Sequence, residues 1–310
     1  MEWHGYAMYL VALLSMGCIY SLMCIGLNIQ WGLGGLFNAG IAGFFAVGAY
    51  SSAILTAAPS TNGFAGFGLP VAVGLVAAGL IAGILGWLVG RLCMRLQSDY
   101  LAMATLGIAE ILRLVVRNEQ WLTNGSLGIA NIPKPLQSFG PTTTDVAYLM
   151  ILIVLVFAAY QFAERLRCSP WGRSMQAIRD NETAATALGK DAVKFRLQAF
   201  ILGSILMGLG GAVTAHYVRF LSPEATEPLL TTFLVWVMLI IGGSGNNWGA
   251  IVGAVAIWTL WSATEIVTAR LPSEWATRGS YLRVFLIGLL LQVFLQKFRQ
   301  GIVPERIERR

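Results

Sequence analysis

Charge is scarce in this chain. Only 12% of its 310 residues are Asp, Glu, Lys or Arg, about half the ~25% of an ordinary soluble domain. A soluble surface cannot be covered with so few charges, which excludes a secreted enzyme, a nucleic-acid reader and a disordered regulator. Cysteine is sparse as well. Cys18, Cys24, Cys93 and Cys168 show no CxxC spacing, so neither a disulfide framework nor a zinc site is indicated. The two histidines, His4 and His216, are far apart in sequence and add nothing to a metal reading. Lys and Arg are missing altogether from residues 1–90, where Glu2 is the only formal charge. A cleavable signal peptide needs a basic leading region, so the first apolar stretch is expected to remain as a membrane span.

What is plentiful is apolar. Hydrophobic residues make up 56% of the chain and the mean hydropathy is +0.68, the composition of an integral membrane protein. Stretches near the ~20 residues that cross a bilayer fall at 8–27, 35–57, 69–90, 100–117, 146–163, 195–217, 229–243, 248–268 and 281–298. They predict an all-α integral membrane protein, one polytopic domain over 1–310 with about nine transmembrane helices, in a range of about eight to ten. Glu110 and Arg113 interrupt the fourth stretch, and the seventh is short and ends in a glycine-rich turn, so it reads equally as re-entrant.

The net charge of +6 fits basic loops on the cytoplasmic side of a membrane better than nucleic-acid binding. Placing the long hydrophilic insert 164–196 in the cytoplasm puts fourteen of the 21 basic residues inside and predicts an outside N-terminus. Glycine, with 35 copies, punctuates the spans. The run Gly79, Gly83, Gly86, Gly90 is a small-residue stripe suited to close helix packing in lipid. Two connections, 32–40 and 242–249, are rich in glycine and carry asparagine. They read either as corresponding broken-helix positions that line a substrate site or as tight turns. On the first reading Asn28, Asn38, Asn246 and Asn247 line a polar path; on the second they bond locally.

No phosphate-binding loop is present, because Gly189-Lys190 is followed by Asp191 and lacks the required glycine pattern. No GxSxG, HExxH or Cys/His constellation appears either, so neither an enzyme nor a cofactor is expected. Active transport would draw its energy from another chain. Within 164–196, Ser169 and Pro170 form a helix start and Gly189 a helix end. Met175, Ile178, Ala185 and Leu188 share one side, which predicts a single amphipathic helix over 170–188. Alanine and glycine, where a membrane-surface helix would carry Trp, Phe or Leu, favour protein docking over lying on headgroups.

The run Gly172-Arg173-x-Met175-x-Ala177-Ile178-Arg179-x-Asn181-Glu182-x-Ala184-Ala185-x-Ala187-Leu188-Gly189 resembles the cytoplasmic loop of the permeases of branched-chain amino acid ABC importers. Further matches to LivM-type subunits occur at Gly26-Leu-Asn28, Gly43-Phe-Phe45 with Gly48-Ala-Tyr50, 99–107, Gly125-x-x-Gly128-Ile129, Ala215-His-Tyr217 with Ser222-Pro-Glu224, and 242–250. The resemblance implies a permease subunit in a bacterial inner membrane. Its implied partners are a LivH-like second permease, two ATPase subunits and a periplasmic amino-acid-binding protein. It assigns Gly172, Arg173, Arg179, Asn181, Glu182, Ala185 and Gly189 to ATPase coupling. Gln30-Trp31 and Asn246-Asn247 depart from the commonest pattern and leave the cargo open between branched-chain or other hydrophobic amino acids and urea or short amides. A stand-alone secondary transporter is the alternative from another class; it would want buried acids and have no use for a docking helix. Inside the spans, Glu110 and Arg113 are expected to neutralise each other, and Glu265 to pair with an arginine of 270–283.

Overall fold

A computed structural model describes residues 2–58, 66–137, 140–226, 228–268 and 301–305, with 285–286, 288–289, 291–293 and 296–297 between the last two. The described chain is all-α: α1 (Glu2–Leu27), α2 (Ile41–Thr56), α3 (Val71–Cys93), α4 (Ser98–Asn118), the short α5 (Gln120–Thr123), α6 (Pro141–Cys168), α7 (Pro170–Asp180), α8 (Glu182–Ala187), α9 (Ala192–Val218), α10 (Pro228–Gly242) and α11 (Asn247–Thr268). Among the described residues five stretches are long and apolar enough to cross a membrane: Gly5–Leu33, Val71–Cys93, Thr142–Cys168, Ala192–Val218 and Asn247–Ile266. Ile41–Thr56 and Thr231–Gly242 are apolar but shorter. Several long apolar helices of this kind make a multi-pass membrane protein.

Among the described residues five to seven of the expected nine stretches stand as candidate spans, for identifiable reasons. The stretch 35–57 becomes helical only at Ile41, because Gly35 takes φ +66° and the chain runs irregularly to residue 40. The stretch 229–243 gives a 15-residue helix, about 22 Å long at 1.5 Å per residue and short of a ~30 Å hydrocarbon layer. The stretch 100–117 is helical but carries its predicted ion pair, with Glu110 and Arg113 2.5 Å apart. The ninth stretch, 281–298, lies largely outside the described residues, as do the arginines expected to face Glu265.

Helix α9 is the centre of the bundle, with α2 and α3 packed along it and α1 crossing it beside α6, α10 and α11. Glycine permits the approach. A Cβ at Gly48 would collide with the carbonyl of Gly208, and one at Gly211 with the carbonyl of Phe45. The predicted stripe on α3 faces inward: Gly83 lies against Ile205 and Gly86 against Ser204 of α9. These backbones pack without large side chains between them, the way dispersion contacts are gained where lipid supplies no hydrophobic drive.

Several of the resemblance motifs meet at one end of the bundle. Ile129 and Leu221 exchange two backbone hydrogen bonds of 2.9 Å, and Gly128, at φ +72°, sits too close to the Leu221 carbonyl for any side chain. The buried His216 holds Ser52 Oγ at 2.8 Å and the Pro133 carbonyl at 2.7 Å. Lys134 binds Asp145 at 2.5 Å between the rings of Tyr148 and Tyr217, at 5.1 and 4.9 Å. These contacts tie the 125–137 segment to α6 and α9.

Substituting Gly211→Val should lower the thermal midpoint of the detergent-solubilised chain, because overpacking of this kind costs about 1–3 kcal/mol. Gly107→Ala, where a Cβ meets nothing within 4 Å, should leave the midpoint unchanged. Size-exclusion chromatography after graded heating measures both.

Candidate functional site

At the other end of the bundle, the end that carries 164–196, the two glycine-rich connections touch. Helix α1 does not stop at Leu27 but loosens into a π-helical turn, Asn28–Leu33, whose i→i+5 bonding often marks functional positions. Asn28, wholly buried, donates through Nδ2 to Asn247 Oδ1 at 2.9 Å and accepts the Gly245 amide at 2.8 Å. Asn247 in turn donates to Glu164 at 2.8 Å, and Glu164 holds Arg167 through Nη2 at 2.6 Å and Nε at 3.1 Å. The chain of bonds joins α1, α6 and the start of α11. Gly32 leaves the space this requires, since a Cβ there would strike the Asn28 side chain and the Gly245 amide.

A second buried layer lies beside the first. Gln30 donates to the Phe200 carbonyl at 2.9 Å and accepts from Asn38 at 2.8 Å. Asn38 Oδ1 accepts the Gly40 amide at 2.8 Å, at the start of α2, and its carbonyl accepts from Trp236 Nε1 at 3.0 Å. Trp31, Phe37 and Trp236 close around this point with ring centroids 4.4–5.4 Å apart. The freed backbone of the break is thereby satisfied by amide side chains, as non-helical backbone in a membrane requires. Asn246 stands apart: it is partly exposed, caps the Trp248 amide and donates to the Pro304 carbonyl at 2.9 Å. Residues 302 and 303 bond to the carbonyls of Ile241 and Gly242 at 2.8 and 3.0 Å, laying the segment 301–305 across the end of α10.

The 170–188 segment is not one helix. Asn181 leaves helical geometry, at φ −155° and ψ 95°, and caps α8 by accepting the Ala184 amide at 3.0 Å. Asparagine wins here because its side chain replaces a helical bond. The break rotates α8, so that Ala185 is buried while Leu188, expected beside it, is 83% exposed. Gly189, at φ +80°, ends the pair of helices. The polar residues assigned to this loop bond within the chain. Arg173 donates to the Cys168 carbonyl at 3.1 Å and Glu182 pairs with Arg196 at 2.8 Å. Gly172 is buried against the carbonyls of Leu166 and Arg167 with no room for a Cβ.

Arg179 makes the contact that joins the loop to the break. Its Nη1 donates to the Gly32 carbonyl in the π-helical turn, and its guanidinium holds Glu305 at 3.1 and 3.3 Å and Asp180 at 3.1 Å. Burial alone would lower its pKa, but the hydrogen bonds and charge of Glu305, then Asp180, hold it above the ordinary arginine value. Beside it the Met175 methyl occupies the space a side chain at Gly34 would need. Glu164, Arg167 and Glu305 belong to this site and are not singled out from the sequence, where Gln30 stands out only as a departure from the family pattern; Glu164 and Arg167, three apart at the end of an apolar run, carry the one available signal.

Residues 9–295 match the family described as "Branched-chain amino acid transport system / permease component". The chain belongs to this permease family. It is 29% identical over 95% of its length to LivM, a high-affinity branched-chain amino acid transport permease of Salmonella typhimurium, covering 70% of that protein. It is 23% identical over 89% of its length to LivH of the same organism, covering 91% of it. A third relative, the autoinducer 2 import permease LsrC of Yersinia pseudotuberculosis, is 27% identical over 73% of the chain and 62% of its own length. No solved structure matches the chain. Among the described residues of this permease no group of three or more His, Cys, Asp or Glu is placed to hold a metal ion.

Because Asn247 both accepts from Asn28 and donates to Glu164, Asn247→Ala should destabilise the permease by about 1–3 kcal/mol. Asn28→Ala should cost less once Asn247 is already alanine, since the two share a bond. Thermal midpoints of the single and double variants test this; strict additivity would show that the two amides do not act together.

Proposed function

We propose that this permease is the LivM-type subunit of an ABC importer that brings branched-chain or other hydrophobic amino acids into the cytoplasm of a bacterium. In this reading it sits in the inner membrane beside a LivH-like second permease, two ATPase subunits supply the energy, and a periplasmic binding protein delivers the cargo. Family membership and the likeness to LivM and LivH support it. The observation that carries the mechanism is the bond from Arg179 of α7 to the Gly32 carbonyl.

The α7–α8 pair is then the coupling element. Its outward residues Ala184, Ala187 and Leu188 are small or apolar and exposed, a tip suited to enter a groove on an ATPase subunit. Asn181, Ala185 and Gly189 shape that tip, Gly172 and Arg173 seat its base on α6, and Glu182 locks it to α9 through Arg196. A push on the tip moves Arg179, and Arg179 pulls on the π-helical turn it bonds, a geometry that often marks functional positions. Rewinding displaces Asn28 and separates it from Asn247. The amides of Asn28, Asn38, Asn246 and Asn247 then face the path, where they can hydrogen-bond both charged ends of a zwitterion without contributing net charge. Such a switch needs two states of similar energy, and the hydrogen-bonded latch supplies the closed one.

A different small cargo is the second reading, favoured by the likeness to LsrC. It changes the substrate and leaves the coupling route intact.

Arg179→Gln should lower ATP-driven leucine uptake by about tenfold or more in proteoliposomes of the full complex, as expected for loss of a partly buried charged contact of a few kcal/mol, while the ATPase subunits still co-purify. Leu188→Asp should instead lose the ATPases. Ion-gradient-driven uptake by the lone chain would sink the proposal, as would Arg179→Gln uptake equal to wild type.

A further inference from the structure

Tyr50 buries a hydroxyl that nothing answers. Its side chain is 3% exposed, and among the described residues its Oη has no hydrogen-bond partner. A buried donor left unbonded is costly, so nearly every such group in a native fold is paired and each exception calls for a cause. Polar side chains next to it on α2 are paired: Ser52 Oγ lies 2.8 Å from His216 Nε2, and Thr56 Oγ1 donates to the Ser52 carbonyl at 2.8 Å. Tyr50 stands about 9 Å along α2 from its last residue, Thr56, at 1.5 Å per residue. This is the end of the bundle away from 164–196.

The surroundings of the hydroxyl form a compartment of their own. Ala53, Val116, Ile129, Ile132 and Leu221 pack with Tyr50 in a small cluster distinct from the main core, and all five are aliphatic. Its roof is the pair of segments joined by the Ile129–Leu221 bonds. That roof is fastened by polar contacts, among them the Ile132 amide on the Arg219 carbonyl at 3.2 Å and the Pro133 carbonyl held by His216 at 2.7 Å. Parting it would uncover this cluster and leave the main core packed, a local opening that costs less than global unfolding. What it uncovers is an aliphatic hollow with one hydroxyl, now filled by an isoleucine and a leucine of the chain itself.

We infer that the Tyr50 cluster is a receiving site for an aliphatic amino acid. In the state described here Ile129 and Leu221 occupy it; when they lift, the cargo side chain takes their place, the Tyr50 hydroxyl donates to the cargo carboxylate, and the ammonium stays toward solvent at the mouth. A hydrogen bond to a charged acceptor is among the stronger ones, and the hydroxyl lacks a partner only while the site is closed. The inference deepens the proposed function and rests on it for the cargo class and for this end facing the periplasm.

Tyr50→Phe tests it in proteoliposomes of the full complex with its binding protein. Because the hydroxyl bonds nothing in the closed site, the thermal midpoint of the purified chain should stay the same or rise, and ATP hydrolysis stimulated by loaded binding protein should persist at the wild-type level. Leucine uptake should fall about tenfold, the loss expected for one hydrogen bond to a charged group. A lower midpoint, unchanged uptake, or an uptake loss matched by an equal loss of ATP hydrolysis would each overturn the inference. A second measurement irradiates photo-leucine, a diazirine analogue of leucine, in the wild-type complex during turnover and maps adducts by mass spectrometry. Adducts within 49–57 or at 116 that excess leucine suppresses are expected; labelling confined to 28–38 and 245–247 would sink the site. Uptake of radiolabelled leucine by the wild-type complex separates the two levels. If it takes up no aliphatic amino acid, the proposed function falls and this site with it; if it does, and the cluster is neither labelled nor sensitive to Tyr50→Phe, only the site falls.

Discussion

A helix that breaks inside a membrane leaves amides and carbonyls that lipid cannot satisfy, and the arrangement around residues 28–40 follows from meeting that demand. Asn28, Gln30, Asn38 and Asn247 are the answer. Each is an uncharged side chain with donors and an acceptor, each is buried, and each bonds either free backbone or another amide. Charge would cost too much there and hydroxyls would satisfy too few groups. The proposed polar path would draw on the same amides that stabilise the break.

The rest of the bundle makes that break tolerable. Close approach of α2 and α3 to α9 through glycine gives a dense, poorly deformable centre, while α1 carries its buried π-helical turn between α9 and α7. Arg179 of α7 bonds that turn directly, through the Gly32 carbonyl. The opposite end is fastened by different means, with the Ile129–Leu221 bridge, the His216 contacts and the Lys134–Asp145 pair between two tyrosines. At the other end Arg179 ties α7 to Gly32 and Glu305.

Charge reinforces the division. Glu164–Arg167, Arg179–Glu305 and Glu182–Arg196 all lie at the end that carries 164–196; the first is an i,i+3 pair within α6, and the other two hold one element against another. Within the α7–α8 pair Arg179 is partly buried, Arg173, Asp180 and Glu182 are exposed, and Ala184 and Ala187 are exposed near the tip.

By itself the sequence determined that the chain is helical and membrane-embedded, where most apolar helices run, that residues 170–188 begin at Ser169 and end at Gly189, and that Glu110 would neutralise Arg113. Each of these depends on composition, local periodicity, a cap or an i,i+3 spacing, all of which lie within one or two helical turns. The tertiary structure decided what no local window contains. Asn28 and Asn247 meet across 219 positions, Arg179 reaches Gly32 across 147, and the glycine stripe of α3 is turned to α9. It also broke the 170–188 helix at Asn181, where capping a second helix outweighed continuing the first, and so moved Leu188 from the buried side to the exposed tip. In a membrane protein most residues are apolar whatever they face, so hydrophobic pattern marks the helices but not their partners; those are chosen by where buried polar groups find each other.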